Sequence, residues 1–211
     1  MEQLIAMLNA IAPMSAALEA YLKQILDPWI YRKGEIILGA GQICDRIFFI
    51  EKGMVRSHYI TEKGEVTHWI MKEGDICTAV LSFLRQIPSF ETHIAYEACR
   101  CWGVTKAQLE HLYFKYPEFN LHGRIVTGEY HCQNEERLRD LRLQPKEAKY
   151  EKLMQYYPEL ARRVKQKHLA SLLGVSKRTF DNMRSDYLAR QNETKTSSLT
   201  LDGNKSAILR F

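Results

Sequence analysis

Seven residues between positions 176 and 184 carry the side chains with the plainest chemistry: Ser176, Lys177, Arg178, Thr179, Asp181, Asn182 and Arg184. Guanidinium and ammonium groups reach guanine edges and phosphate oxygens, and an Asn amide pairs with adenine in a major groove. Ser176 and Thr179 suit a phosphate contact or a helix cap. Such groups read bases when they project from the first turns of an exposed helix. The bland alternative for the same stretch is the solvated basic face of an ordinary helical hairpin.

The flanking residues supply such a helix. In the run from Gln166 to Tyr187, Leu169, Leu172 and Leu173 recur at helical spacing, with Ala170 beside them. Gly174 suits a left-handed cap that ends this first helix. Val175 follows as the inward turn residue, Ser176 is a good N-cap, and Phe180 and Met183 give a second helix its apolar face. The small side chain of Ala170, four residues before Gly174, lets the second helix cross closely. This order of small, glycine, apolar and cationic positions is a helix-turn-helix pattern, more specific than a run of charge.

Elsewhere the chemistry is sparse. The cysteines are Cys44, Cys77, Cys99, Cys101 and Cys132, an odd number without paired metal spacing. Cys99-x-Cys101 is too close for an ordinary zinc clip. Reduced, mostly buried thiols are expected, with a redox or iron–sulfur sensor as the alternative. The histidines include His58, His68 and His93, but no His-x-His pair with a following Glu marks a metal enzyme of the cupin kind. No nucleophile–base arrangement is legible. The chain therefore reads as a non-enzyme with no cofactor and no metal.

At 211 residues the chain is one large domain or two small ones, and a hydrophobic fraction of 45% is enough for real cores. Residues 1–136 hold 13 Lys+Arg against 17 Asp+Glu, whereas residues 137–190 hold 14 against 6. An acidic front and a basic back suggest two domains, with the nucleic-acid footprint on the second. No apolar run approaches the ~20 residues that span a bilayer. The start, MEQLIAMLNA, lacks the cationic region and cleavage site of a secretory signal. A cytoplasmic protein with no membrane partner is expected.

Taken in order, residues 2–26 predict a helix or helix pair, with Leu4, Ile5, Leu8 and Ile11 on one face and Leu18, Tyr21, Leu22 and Ile25 following. Ser15, with Leu18 three residues on, is not a capping box. From residue 28 short β-branched and aromatic runs alternate with turns at Gly34, Gly41, Gly53, Gly64 and Gly74. That texture predicts an antiparallel barrel or jelly roll. Ile47–Glu51 is expected to be a central strand and Glu62–Glu65 a hairpin tip. A short helix is expected within 76–90, a closing strand over Thr92–Cys101, and a helix capped by Thr105. A longer helix is expected to begin near Pro117, with Phe119, Val126 and Tyr130 on one stripe and Leu121, Ile125 and Cys132 on its neighbour. Gly123 and Gly128 would let a partner helix approach, which makes Ile125, Val126 and Tyr130 the candidate dimer contacts; the alternative is a helix that merely packs on its own barrel. Leu143–Pro145 is the expected hinge. Ala148, Leu153 and Tyr156 are the expected core residues of the helix after it. After Arg190 the tail is polar, with Asp202-Gly203 able to turn a small hairpin; disorder is the alternative.

Glycine-punctuated β-roll, long helix, helix-turn-helix: this order resembles the Crp/Fnr family of bacterial regulators, over nearly the whole chain to about residue 188. The resemblance is carried by RKGEIILGAGQICDRIFFIEKGMVR, KEGDI and KHLASLLGVSKRTFDNMR. The run Pro158, Leu160, Arg163, Val164, Gln166, Lys167, Leu169 to Ser171, Leu173 and Gly174 is similar to the subgroup common in Bacteroidetes. The resemblance implies an α+β chain of four parts: a cyclic-nucleotide-binding-like sensor over 1–116, a dimerisation helix over 117–143, a helix-turn-helix over 144–189 and a tail over 190–211. It further implies a homodimer on an inverted-repeat operator in double-stranded DNA, a contact with RNA polymerase, and base reading by Lys177, Arg178, Asp181 and Asn182. Many relatives carry Ser-Arg where this chain has Asp181-Asn182.

The sensor departs further. Nucleotide-binding members hold the ribose with a Gly-Glu pair and the phosphate with Arg followed by Ser or Thr and Ala. Here Cys77-Thr78-Ala79 follows Gly74-Asp75-Ile76, and Pro88-Ser89-Phe90-Glu91 stands at the phosphate position. A buried phosphate without a cation is costly. Cyclic AMP is therefore not the expected effector: the roll senses another small molecule or a protein, or no longer senses anything, with Thr78, Arg85 and Ser89 as pocket candidates. The rival from another class is a protein-interaction module whose helix-turn-helix has lost DNA binding.

Overall fold

The computed structural model describes residues 1–205, with side chains through Asn192. The chain divides into two compact units, Met1–Glu135 and a second that begins at Glu136. The first opens with helices α1 (Glu2–Ile11) and α2 (Ala16–Ile25), followed by strands β1 (Asp27–Tyr31), β2 (Ile36–Leu38), β3 (Arg46–Lys52), β4 (Val55–Thr61), β5 (Gly64–Met71) and β6 (Ile76–Cys77). Helix α3 (Val80–Arg85) precedes β7 (Glu91–Ala95) and β8 (Cys99–Thr105); α4 (Lys106–Lys115) and α5 (Phe119–Leu143) follow.

The strands form two four-stranded antiparallel sheets, β1-β8-β3-β6 and β2-β7-β4-β5. This is a jelly-roll-like sandwich, and the sheets do not close into a barrel. Strand β3 is central, and alternation explains its nearly continuous apolar run. Phe48 and Ile50 face the roll interior with Val55, Met71, Cys77, Ala95, Cys99 and Cys101. Phe49 faces the opposite way, under Leu4, Leu8, Leu18, Leu22 and Leu112 of the helices. Each such side chain contributes about 1.5–3 kcal/mol on burial.

The expected single strand over Thr92–Cys101 is two strands in different sheets. Between them, Tyr96 and Glu97 both donate their backbone N–H to Met54 O (2.7 and 3.2 Å). Gly53 makes this crossing possible: a Cβ there would lie 2.3 Å from Ala98 O, and its φ is +101°. The tip of the β4–β5 hairpin falls at Glu62-Lys63, as expected, with Thr61 paired to Gly64.

Helix starts follow local chemistry, once with distant help. Thr105 and Gln108 form a reciprocal capping box on α4. Ser15 caps α2 by accepting from Leu18 N (3.2 Å), and its hydroxyl donates to Glu118 Oε1 at 2.6 Å. The carboxylate missing from the local motif thus arrives from 103 residues away.

In the second unit α6 (Lys146–Tyr156), α7 (Pro158–Arg163), α8 (Gln166–Leu172) and α9 (Lys177–Lys205) follow the end of α5. Their core holds Tyr150, Leu153, Leu160, Val164, Leu169, Ala170, Phe180 and Met183. Tyr156, expected inside, is 61% exposed; Tyr150 takes that place because its ring sits edge-on to Phe180 (5.3 Å) and Tyr187 (5.5 Å). Ala148 is half-buried. Lys152 Nζ on Asp140 (2.5 Å) and Lys149 Nζ on Leu141 O (3.0 Å) tie α6 to the end of α5. The backbone continues as one helix through Asp202-Gly203 to Lys205, so the expected hairpin is not formed; residues 206–211 lie outside those described.

Candidate nucleic-acid interface and sensor cavity

The turn between α8 and α9 is built by main-chain bonds. Val175 N donates to Ala170 O and Gly174 N to Ser171 O, each at 3.0 Å, with Gly174 at φ +69°. This pair of bonds satisfies the last carbonyls of α8 and fixes the exit angle. Ser176 then caps α9, accepting from Thr179 N at 3.1 Å. Ala170 is 1% exposed at the crossing, beside Phe180 and Met183 at 2% each.

These contacts leave Lys177, Arg178, Asn182 and Arg184 on the exposed side of α9. Their charges are not equivalent. Lys177 Nζ lies 2.7 Å from Asp181 Oδ2. With its amide oriented to suit its neighbours, Gln166 donates to Asp181 Oδ1 (3.2 Å) and accepts from Arg184 (2.7 Å). The Asp181 carboxylate, which would repel a phosphate if left bare, is thereby matched from two sides. Arg178 and Asn182 have no protein partner among the described residues. Thr179 hydrogen-bonds through its hydroxyl to Ser176 (2.8 Å), so both serve the cap.

Within the first unit α5 shows two faces. Phe119 and His122 are buried, and Val126 and Tyr130 half-buried. The Tyr130 hydroxyl accepts from Ile76 N at 2.6 Å, and burial raises its pKa to about 12 against the opposing effect of that bond. Tyr130 therefore packs on the roll and does not lie on an open face. Leu121 and Ile125 are 37% and 42% exposed, and Gly128 and Cys132 continue their stripe. Gly123 already has an occupant: a Cβ there would lie 2.3 Å from Tyr113 Oη, while at Gly128 it would meet nothing.

The roll holds a cavity of about 210 Å³ that opens to solvent on one side. Trp29, Tyr31 and Phe48 make aromatic walls, Asp45 and Arg46 lie toward the exposed rim, and Cys77, Thr78 and His93 line the inside. Of the three residues expected in a pocket, only Thr78 lines it. Arg85 is exposed in the last turn of α3. Ser89 is 5% exposed, but its hydroxyl donates to Glu91 O (2.8 Å) and accepts from Glu91 N (3.1 Å). Local turn geometry consumes it.

The sequence reading missed the polar chain inside the roll. Cys77 Sγ lies 3.5 Å from His93 Nδ1. His93 Nε2 lies 3.1 Å from Glu91 Oε2, an ion pair too far off the N–H axis to be an aligned hydrogen bond. Ser57 Oγ donates to the same carboxylate oxygen. Burial works against both charges, yet the Cys77 sulfur and the Glu91 carboxylate hold the His93 pKa above its ordinary value. Burial likewise opposes the Glu91 charge, but His93 and Ser57 keep its pKa low. The signal was present as alternation: Glu91 and His93 sit two apart on one strand, and Ser57 pairs with His93 across the ladder. Of the other two histidines singled out in the sequence, His58 faces Glu65 (3.6 Å) and His68 lies tilted against Tyr59 (4.8 Å), near enough to help keep the Glu91 pKa low.

Among the described residues no helix is long and apolar enough to cross a membrane. Residues 28–116 match the family of the cyclic nucleotide-binding domain. No curated protein matches the chain by sequence. FixK2 from Bradyrhizobium japonicum is similar in structure over 79% of this chain and 86% of its own, at 15% identity and a TM-score of 0.67. A CooA double mutant from Carboxydothermus hydrogenoformans is similar over 83% and 80%, at 17% identity and a TM-score of 0.64. A protein of Eubacterium rectale described as a transcriptional regulator of the Crp/Fnr family is similar over 84% and 85%, at 14% identity and a TM-score of 0.64. At these identities the likeness is one of fold.

Proposed function

We propose that this chain, which fits the Crp/Fnr type of regulator in its cyclic-nucleotide-binding-type domain and its fold, is a transcription regulator that binds an inverted-repeat operator as a homodimer. One observation carries the reading: a tightly capped helix whose first turns present Arg178 and Asn182 without protein partners, beside Lys177 and Arg184. Arg178 suits a guanine edge, Asn182 suits adenine, and Thr179 and Ser176 suit backbone contacts. Two such helices, related by a two-fold axis, read two half-sites. The exposed stripe of Leu121, Ile125, Gly128 and Cys132 on α5 supports a helix–helix contact with a second copy.

The effector in this reading is a small molecule other than a cyclic nucleotide. The half-buried carboxylate of Glu91 stands in the run where the family places its phosphate cation, and a phosphate beside it would meet repulsion in a partly desolvated space. The Ser89 hydroxyl is already bonded to the main chain.

The test is selection of the purified protein on a pool of random duplex DNA at two salt concentrations, with Lys177→Ala, Arg178→Ala and Asn182→Ala alongside. An enriched inverted repeat that is lost in Arg178→Ala and Asn182→Ala supports the reading. Weak binding that falls steeply with salt and enriches nothing refutes it, because phosphate attraction alone behaves that way.

A further inference from the structure

We infer that Cys77 is a covalent capture site for small, flat electrophiles carrying a conjugated carbonyl, such as quinones and enones, which enter the roll cavity and add to its sulfur. The inference rests on the sensor reading above only for its consequence in regulation. The site itself stands on four side chains and on the cavity that two of them, Cys77 and His93, line.

Cys77 and His93 both line the cavity, although they are 1% and 2% exposed. Their contact belongs to a chain, Cys77 Sγ–His93 Nδ1 at 3.5 Å, His93 Nε2–Glu91 Oε2 at 3.1 Å, and Ser57 Oγ on that carboxylate. A thiol, an imidazole and an orienting acid in this order form the arrangement that activates a sulfur nucleophile. A purely structural cysteine needs no such chain: Cys99 satisfies its sulfur on Met54 O and Glu97 O, each at 3.3 Å. The His93 pKa, held above its ordinary value despite burial, agrees with a ring that holds the proton of the pair.

The cavity selects the class of molecule. Its walls, Trp29, Tyr31, Phe48 and Ile37, are flat and largely apolar. Arg46, which also lines the cavity, lies 4.6 Å over the Trp29 ring and brings guanidinium N–H groups to the rim, where a carbonyl oxygen could accept from them. At about 210 Å³ the space is smaller than the roughly 300–1,000 Å³ of ordinary ligand pockets. A one-ring molecule suits a space of this size.

The step balances without an oxidant or reductant. The sulfur, its proton passed to His93 Nδ1, attacks the carbon β to the carbonyl, and a C–S bond forms. The C=C π pair moves to the α carbon and carbonyl oxygen as an enolate. The His93 imidazolium returns the proton to it, with Glu91 holding the ring in place. The sum is addition of S–H across one double bond.

The experiment uses the full chain with Cys132→Ser, which removes the exposed thiol. Benzoquinone is added below one equivalent, and adducts are timed by intact mass and located by peptide mapping, in the absence of DNA. The expected result is one adduct, at Cys77, with His93→Gln slowing its formation at least about tenfold while the fold, followed by circular dichroism, persists. Ser57→Ala, which keeps the imidazole and loosens only the carboxylate, is expected to slow it less. Three results would each overturn the inference: labelling of Cys44, Cys99 or Cys101 as fast as Cys77; an unchanged rate in both His93→Gln and Ser57→Ala; or oxidation of Cys77 by hydrogen peroxide with no quinone adduct. Failure of operator selection with intact labelling would refute the regulator and leave this site standing.

Discussion

A methyl group added at Gly123 and one added at Gly128 are expected to act in opposite directions. Both positions lie inside α5, where Ala is favoured over Gly by about 0.8–1 kcal/mol. At Gly128 the new Cβ meets nothing within 4 Å, so a single copy of the chain keeps that gain. At Gly123 it would lie 2.3 Å from Tyr113 Oη, 2.5 Å from Cε1 and 2.7 Å from Cζ. The ring cannot simply swing away, because it packs on Phe119 with centroids 5.4 Å apart. Overpacking of this kind costs about 1–3 kcal/mol. The balance for Gly123→Ala is a loss of about 1 kcal/mol, a fall in the unfolding midpoint of about 2–4 °C. Thermal unfolding followed by circular dichroism reads both variants, and Gly123→Ala combined with Tyr113→Leu is expected to recover most of the loss. Equal stabilisation by the two single variants would refute the reasoning, since it would mean that Tyr113 does not occupy the space. Sedimentation adds the functional half: if a second copy packs on the Leu121–Ile125–Gly128 stripe, Gly128→Ala weakens the dimer while Gly123→Ala spares it.

Three further outcomes are expected. Asp181→Asn removes the carboxylate that holds Lys177, and it is expected to tighten DNA binding and steepen its salt dependence by about one phosphate contact, read by fluorescence anisotropy across a salt series; unchanged affinity would mean that the pair does not face DNA. Phe180→Ala opens the core of the helix-turn-helix and is expected to cost about 3–5 kcal/mol and abolish operator binding, read by urea unfolding and mobility shift. For pH, the Glu91 pKa is lowered, so its contribution to stability is present above its ordinary 4.5 and is lost as pH falls through the depressed value. The His93 pKa is raised, so its contribution is complete below its ordinary 6.5 and is lost as pH rises through the elevated value. The stability difference between the native protein and His93→Gln is therefore expected to be greatest between about 4.5 and 6.5 in pH, measured by urea unfolding; a flat difference would refute the buried pair.

Local rules carried the reading of the sequence where neighbours in the chain decide the structure. The turn at Gly174, the Ser176 cap, the Thr105 cap and the hairpin tip before Gly64 each depend on residues within a few positions, so residue type alone announced them. The strand pattern of the roll was also legible, because alternation of apolar side chains is imposed residue by residue on any strand with one buried face. Gly123 shows where this stops. Its lack of a side chain was plain in the sequence, but the occupant of the space, Tyr113, comes from another helix.

The same limit explains Ser15, whose cap is completed by Glu118, and Ser89, whose hydroxyl is consumed by the turn it sits in. It explains the cavity most of all. Residue types placed Lys177, Arg178 and Asn182 on one helix, because a 3.6-residue period needs only the local chain. Cys77, His93, Glu91 and Ser57 come from strands of two different sheets, and strand pairing is set by long-range packing and register. Only the folded roll brings a thiol to an imidazole and an imidazole to a carboxylate.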